Sequence, residues 1–158
     1  MKFYDKKARE LEQNPFTLPD NPAVIAAGEN GDAVSAPQGA FGVFAGRPCA
    51  FLFLPRDSRV CGLLEAGGSC SVSFFDKPAF RDSLDALAKY GTLDAVGLTA
   101  AREDGVPYCE EADTVFLCRS VCMRGAEEPE KETVLFFCEI TRTLRKRPGF
   151  KDRLVGCC

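Results

Sequence analysis

The sequence contains no histidine. That absence removes the imidazole base, the Ser/His and Cys/His nucleophile systems and the commonest nitrogen ligand for metals. Whatever chemistry the chain performs must come from other side chains or from a bound cofactor. Long apolar runs are missing too. None approaches the roughly 18 residues that a membrane-spanning helix needs, so no membrane partner is expected. Charge of one sign is scarce: 20 Lys and Arg against 23 Asp and Glu leave a net charge of −3, which gives no pull toward nucleic acid. Residues 1–14 are charged throughout and lack the apolar centre of a secretion signal, so a cytoplasmic location is expected. There is no internal repeat and no low-complexity tract.

What is present is enough for one folded unit. A chain of 158 residues, 46% of them apolar, has the length and composition of a single globular domain with a real core. Residues 1–20 are polar and read as an arm, 21–146 as the domain and 147–158 as a tail. Nine cysteines without a secretion signal argue against a disulfide framework and for reduced thiols packed as small hydrophobes. Cys118 and Cys122 lack the usual Cys-x-x-Cys metal spacing and would share one face of a strand. Cys157-Cys158 looks like the terminus of a prenylated protein, but nothing else in the chain does, and a flexible tail with two exposed thiols is the simpler reading. The basic run Arg142, Arg145, Lys146, Arg147, Lys151 and Arg153 reads as a solvated end. Its alternative role is a dock for a nucleotide or an acidic redox partner.

The order of elements is that of a mainly β (α+β) protein. Ala23–Gly28 and Ala33–Ala36 flank Asn30-Gly31, a strong hairpin signal. Phe41–Phe44 is a short strand stopped by Gly46 and Pro48. Cys49–Leu54 is uninterruptedly apolar, as a strand buried on both faces would be. Pro55-Arg56-Asp57-Ser58 ends it, and Arg59–Ala66 reads as a short helix closed by Gly67-Gly68. Cys70–Phe75 is the next strand. Asp76 is placed to cap a second helix with Pro78 in its first turn and Phe80, Leu84 and Leu87 on its apolar face. Gly91 ends that helix. Two long strands follow, about Asp113–Arg124 and Glu132–Leu144, joined by an acidic exposed loop over Gly125–Lys131. Strands, helix, strand, helix and then strands do not make the alternation of a parallel sheet.

From Asp32 to Asp76 the sequence resembles the flavin reductase-like, FMN-binding split-barrel family. Members carry a strand and turn reading roughly Asn-x-Met-Thr-Ala-Ser-Trp. Then come a Gly-rich stretch, a buried strand, a turn rich in Pro, Ser and Arg, a helix, and a strand ending near Ser-Phe-Phe-Asp. The same order here runs Val34-Ser35-Ala36-Pro37-Gln38, Gly39-Ala40-Phe41-Gly42-Val43, Arg47–Phe53, Asp57-Ser58-Arg59 and Ser73-Phe74-Phe75-Asp76. Gly97-Leu98-Thr99, Glu110-Glu111-Ala112 through Leu117-Cys118-Arg119, and Phe136–Ile140 continue it, over about residues 20–145. The resemblance implies a six-stranded Greek-key split barrel with short flanking helices, a homodimer, and FMN at the dimer interface. It also implies an NAD(P)H:flavin oxidoreductase or a flavin-based electron carrier, with a redox protein as a further partner. In such proteins flavin N5 carries the hydride chemistry.

Residue by residue, the resemblance places Ser35, Ala36, Pro37 and Gln38 along the flavin ring. That position asks for small side chains and for backbone N–H and C=O groups. Pro37 lacks the N–H, and Gln38 stands where the family has tryptophan. Arg56, Ser58 and Arg59 are the phosphate candidates, beside a helix start and with guanidinium groups suited to an anion. A solvated turn with Asp57 or Ser58 as helix cap is the reading that needs no ligand. The family's Arg-Tyr-Thr appears here as Arg59-Val60-Cys61, a thiol replacing the hydroxyl. The family's later basic segment is missing from Ala86–Val96, leaving Lys89. Phe74 and Phe75 point to opposite faces of their strand, one toward the core and the other toward flavin or a partner, with core packing the simpler account of each. Two other functions compete: a non-catalytic split-barrel dimer that has lost tight FMN binding, and a thiol-based redox or metal protein.

Overall fold

The computed structural model describes residues 3–7, 23–36, 39–75, 80–124 and 132–146. Pro37, Gln38, Asp76, Pro78, the loop over residues 125–131 and the tail over residues 147–158 lie outside them. In chain order the strands are β1 (Phe3–Asp5), β2 (Ala23–Ala27), β3 (Asp32–Ala36), β4 (Gly39–Phe44) and β5 (Arg47–Pro55). Helix α1 (Arg59–Glu65), β6 (Ser69–Phe74) and helix α2 (Arg81–Tyr90) follow. Then come β7 (Ala100–Glu103), β8 (Val106–Cys109), β9 (Thr114–Arg124) and β10 (Thr133–Lys146). The expected mainly β architecture is what forms, with more strands than the six expected.

Eight strands make one antiparallel sheet in the order β3-β2-β6-β9-β10-β5-β4, with β1 added to β10, and β7–β8 form a separate hairpin. The fourteen-residue β10 organises this sheet. One side of it pairs with β9 along Leu135–Arg145. The other side pairs with β5 over Thr133–Glu139 and then with β1 over Leu144–Lys146. The segment expected to be an arm therefore begins with a strand. Phe3 of that strand is 3% exposed, and its burial accounts for the pairing.

Alternation along the strands sends side chains into two cores. The first gathers Ile25, Leu52, Leu54, Val72, Phe74, Phe116, Val134 and Phe136 with the α1 residues Val60 and Leu64. The second gathers Val24, Ala26, Phe75, Val115, Leu117 and Leu144 with Leu84 and Leu87 of α2 and residues of the β7–β8 hairpin. Buried hydroxyls fasten that hairpin to β6. Ser71 Oγ donates to the Pro107 carbonyl at 2.7 Å, and the Cys109 amide donates to Ser73 Oγ at 3.2 Å.

Three local expectations are corrected. The hairpin expected at Asn30-Gly31 forms between β2 and β3, but over a four-residue turn, Gly28–Gly31, in which positive φ falls on the two glycines. The second helix starts at Arg81, because Phe80 takes a left-handed conformation (φ 61°) that stops the helix running back to it. Phe80 is 42% exposed, while Leu84 and Leu87 fill the core as expected. The third concerns β5. Ala50, Leu52 and Leu54 are fully buried, but Phe51 is only half-buried and Phe53 is 42% exposed. No element among the described residues covers that second face.

Candidate functional site

The segment that carries the resemblance begins at one edge of the sheet. Strand β3 is terminal in the strand order and pairs only with β2 among the strands. At its start the outer edge is closed: the Ala33 amide donates outward to the Gly91 carbonyl at 2.8 Å, and Asp32 bridges to Thr92. Outward and inward bonding alternate along an antiparallel strand. Ser35, two residues beyond Ala33, therefore turns its own N–H and C=O to the same outer edge, where no strand lies among the described residues. An unpaired row of this kind is a ready template for another hydrogen-bonding group. Ser35 and Ala36 lie on β3 as expected, and Ser35 is half-buried.

The turn after β5 is held by its own side chains. Ser58 caps α1: its hydroxyl donates to the Pro55 carbonyl at 2.8 Å and accepts from the Cys61 amide at 3.1 Å. Both bonds are local, and the cap fixes the start of the helix. The Cys61 thiol points along the helix to Glu65, with Sγ 3.5 Å from Oε1. Burial, then the Glu65 charge, pushes this thiol up to about 11, so it stays protonated at neutral pH. Arg56 is half-buried and its amide donates to the Glu132 carbonyl at 2.8 Å.

Arg59 reaches back to the start of β3. Its Nη1 lies 3.8 Å from Asp32 Oδ1, inside ion-pair range and beyond hydrogen-bond range. The guanidinium is 79% exposed and the carboxylate only 9%. Asp32 Oδ1 is buried and has no hydrogen-bond partner among the described residues. The turn between β2 and β3 is pressed against the same helix, since a Cβ on Gly28 would sit 2.8 Å from Leu63 Cδ1. Arg102 on β7 ties the tip down by donating to the Gly28 carbonyl at 3.3 Å and to that of Glu29. The Ser35 edge and the Arg59 turn are thus joined through one strand. Ser35 lies three positions beyond Asp32, about 10 Å of extended chain.

Phe74 and Phe75 do diverge to opposite faces, and both faces are core. Phe74 is 2% exposed and meets Phe116 edge-on at 5.2 Å. Phe75 is 3% exposed and packs on Phe80 at 5.8 Å. Lys89 lies in the last turn of α2, over the Tyr90 ring.

Sequence reasoning missed Asp32 as a partner of the turn, because 27 positions separate it from Arg59 and no local signal links them. It also missed a second surface. On the open face of β5, Phe51 and Phe137 stack edge-on at 5.0 Å, and Leu135 lies opposite Phe53 in the register. At the rim of this face Glu139 accepts from Arg47 at 3.3 Å and from Arg119 at 2.7 Å.

Among the described residues the thiols of Cys61, Cys70, Cys109, Cys118 and Cys138 are buried. Cys70, Cys118 and Cys138 come together in the first core on β6, β9 and β10. Hydrogen bonding to Cys118 and burial hold Cys70 well above the usual thiol range. Hydrogen bonding to Cys70 and burial do the same to Cys138. Among the described residues no group of three or more acidic or cysteine side chains is placed to hold a metal ion. No helix among them is long and apolar enough to cross a membrane.

No protein-family model matches the sequence, and no curated protein matches it. Solved structures do match in fold. An FMN-binding domain of a flavin reductases-like enzyme from Shewanella baltica superposes with a TM-score of 0.69 at 12% identity, over 91% of this chain and 77% of that one. The NADH:FAD oxidoreductase of Streptomyces globisporus, solved with NAD and FAD fragments, gives 0.64 at 15% identity, over 79% and 73%. The styrene monooxygenase flavin reductase of Pseudomonas putida gives 0.64 at 19% identity, over 83% and 81%. The fold is that of flavin reductase-like FMN-binding domains.

Proposed function

We propose that this protein is a homodimeric flavin-binding oxidoreductase that moves electrons between a nicotinamide nucleotide and a flavin. The observation that carries the reading is the outer edge of β3 at Ser35, where no strand pairs among the described residues, in a fold shared with structures named as flavin reductases. The polar edge of an isoalloxazine ring needs backbone donors and acceptors with small side chains beside them; the edge at Ser35 offers such groups, and Ala36 is its small neighbour. When bound, the flavin supplies the hydride-accepting centre at N5, which suits a chain without histidine. The protein's share is to hold the ring, orient it and exclude water. Phe74 and Phe75 support the site from within the two cores. The second copy covers the open face of Phe51, Phe53, Leu135 and Phe137, since exposed clustered rings rimmed by charge mark an interface. FMN is one flavin ligand of this site, NADH or NADPH the electron donor, and a redox protein a further acceptor.

Titrating the purified protein with flavin tests the reading. Quenched flavin fluorescence, a shifted visible spectrum, and NADH or NADPH oxidation that requires both flavin and protein are expected. A spectrum and a melting temperature unmoved by saturating flavin would overturn it, because a ligand of the native state must stabilise that state. That outcome would favour the non-catalytic dimer.

A further inference from the structure

The turn after β5 carries residue types that a phosphate grip would use, yet Ser58, Cys61 and Arg59 are each already engaged. Ser58 spends its hydroxyl on the Pro55 carbonyl and the Cys61 amide. Cys61 turns its thiol to Glu65. Arg59 faces Asp32. The Arg59 pairing is lopsided, and that matters for any incoming anion. An exposed guanidinium gains little from a surface ion pair. A carboxylate that is 9% exposed, with an oxygen that has no hydrogen-bond partner among the described residues, depends on its nearby cation, because an unpaired buried charge is costly. Drawing Arg59 away to a phosphate would strip Asp32 of the cation that the structure pairs with it. Leaving Arg59 in place would set a dianion close to the Asp32 carboxylate, and like charges repel. Either way Asp32 opposes phosphate at Arg59.

We propose that Asp32 serves as a built-in anion on Arg59, so that this site recognises flavins by the ring system and not by a terminal phosphate. The inference rests on the flavin reading above and deepens it. The ligand class is the flavin nucleus with or without a phosphorylated side chain. Ring recognition belongs to the Ser35 edge. Asp32, about 10 Å back along the same strand, is a specificity residue that acts through Arg59.

Dissociation constants for riboflavin and FMN, measured side by side by fluorescence titration, test this on the unmodified protein. The two are expected to agree within about threefold, since a charge-assisted bond to phosphate would separate them by about tenfold or more. In Asp32→Asn, Arg59 is released. FMN is expected to tighten by about tenfold while riboflavin stays unchanged. Adding Arg59→Ala to that variant is expected to remove the gain. FMN bound tenfold more tightly than riboflavin by the unmodified protein overturns this inference and leaves the flavin reading standing. Binding of neither ligand overturns the flavin reading itself. The comparison on the unmodified protein decides even if Asp32→Asn fails to fold.

Discussion

Strands β2 and β5 carry the same message in the sequence and meet different fates in the fold. Each contains a run of apolar residues of the kind that central strands carry. In β2 all five residues, Ala23 to Ala27, are buried, alternating between the first core and the second. In β5 only Ala50, Leu52 and Leu54 are fully buried, while Phe51 and Phe53 look out from the other face. An apolar run therefore reports that both faces of a strand need cover, not that the same chain supplies it. β2 is covered by its own chain. The second face of β5 has no cover among the described residues, and the cover proposed for it is a second copy of that face across a twofold axis.

The comparison can be broken at either strand. The largest effect is expected on β2. Ile25→Ala removes a fully buried side chain and should cost about 2–5 kcal/mol of folding stability, read from the midpoint of chemical denaturation. A cost below about 1 kcal/mol, the range of surface substitutions, would mean that β2 is not enclosed on both sides. Phe53→Asp, on the open side of β5, should change the stability of the isolated protomer little. It should instead halve the mass seen by sedimentation. A protein that is monomeric before the substitution as well as after it would remove the second copy as the cover of this face.

How much of this was legible beforehand follows the range of the physics involved. The helix after Ser58, the end of α2 at Gly91 and the two long C-terminal strands rest on local rules, namely capping, left-handed glycine and unbroken β-formers. They appear where the sequence puts them. Ser35 and Ala36 fall on a strand for the same reason, since small residues at the end of a strand are a local feature. The turn after β5 was half legible. Ser58 as a cap is local and was foreseen as an alternative. Asp32 against Arg59 was not, because that pairing exists only after the β2–β3 hairpin packs on α1. The open face of β5 was misread because sequence shows that a residue is apolar but not which molecule covers it. Phe80 was placed inside a helix because its spacing fits, but its left-handed backbone overrides the spacing.

The smallest expected effect lies where β10 leaves β5 and meets β1. Here the chain does for itself what it leaves undone at Phe53: Phe3 closes the edge of the second core from an otherwise polar segment. Arg142 helps to hold that cover. It donates to Asp5 at 3.0 and 3.1 Å, to Glu103 at 2.7 Å and to Asp104 at 3.1 Å, joining β1 and the β7–β8 hairpin to β10. Hydrogen bonding from Arg142 is the main cause that lowers the Asp5 carboxyl below its ordinary value of 3.8, against a smaller opposing effect of burial. A group whose value is depressed on folding contributes stability above its unfolded value and loses it as the pH falls through the folded one. The pairing is therefore intact at neutral pH, starts to weaken below about pH 4 and is lost as Asp5 takes up its proton. Asp5 is 66% exposed, so solvent screening keeps the contribution small. Amide hydrogen exchange in β1 should report it, with faster exchange at Lys6, whose amide bonds the Thr143 carbonyl, once the intrinsic pH dependence of exchange is removed. Arg142→Met should remove this acid step and leave β1 weakly protected at every pH. If the acid step survives that substitution, the ion pairs do not fasten β1, and Phe3 alone holds the cover in place.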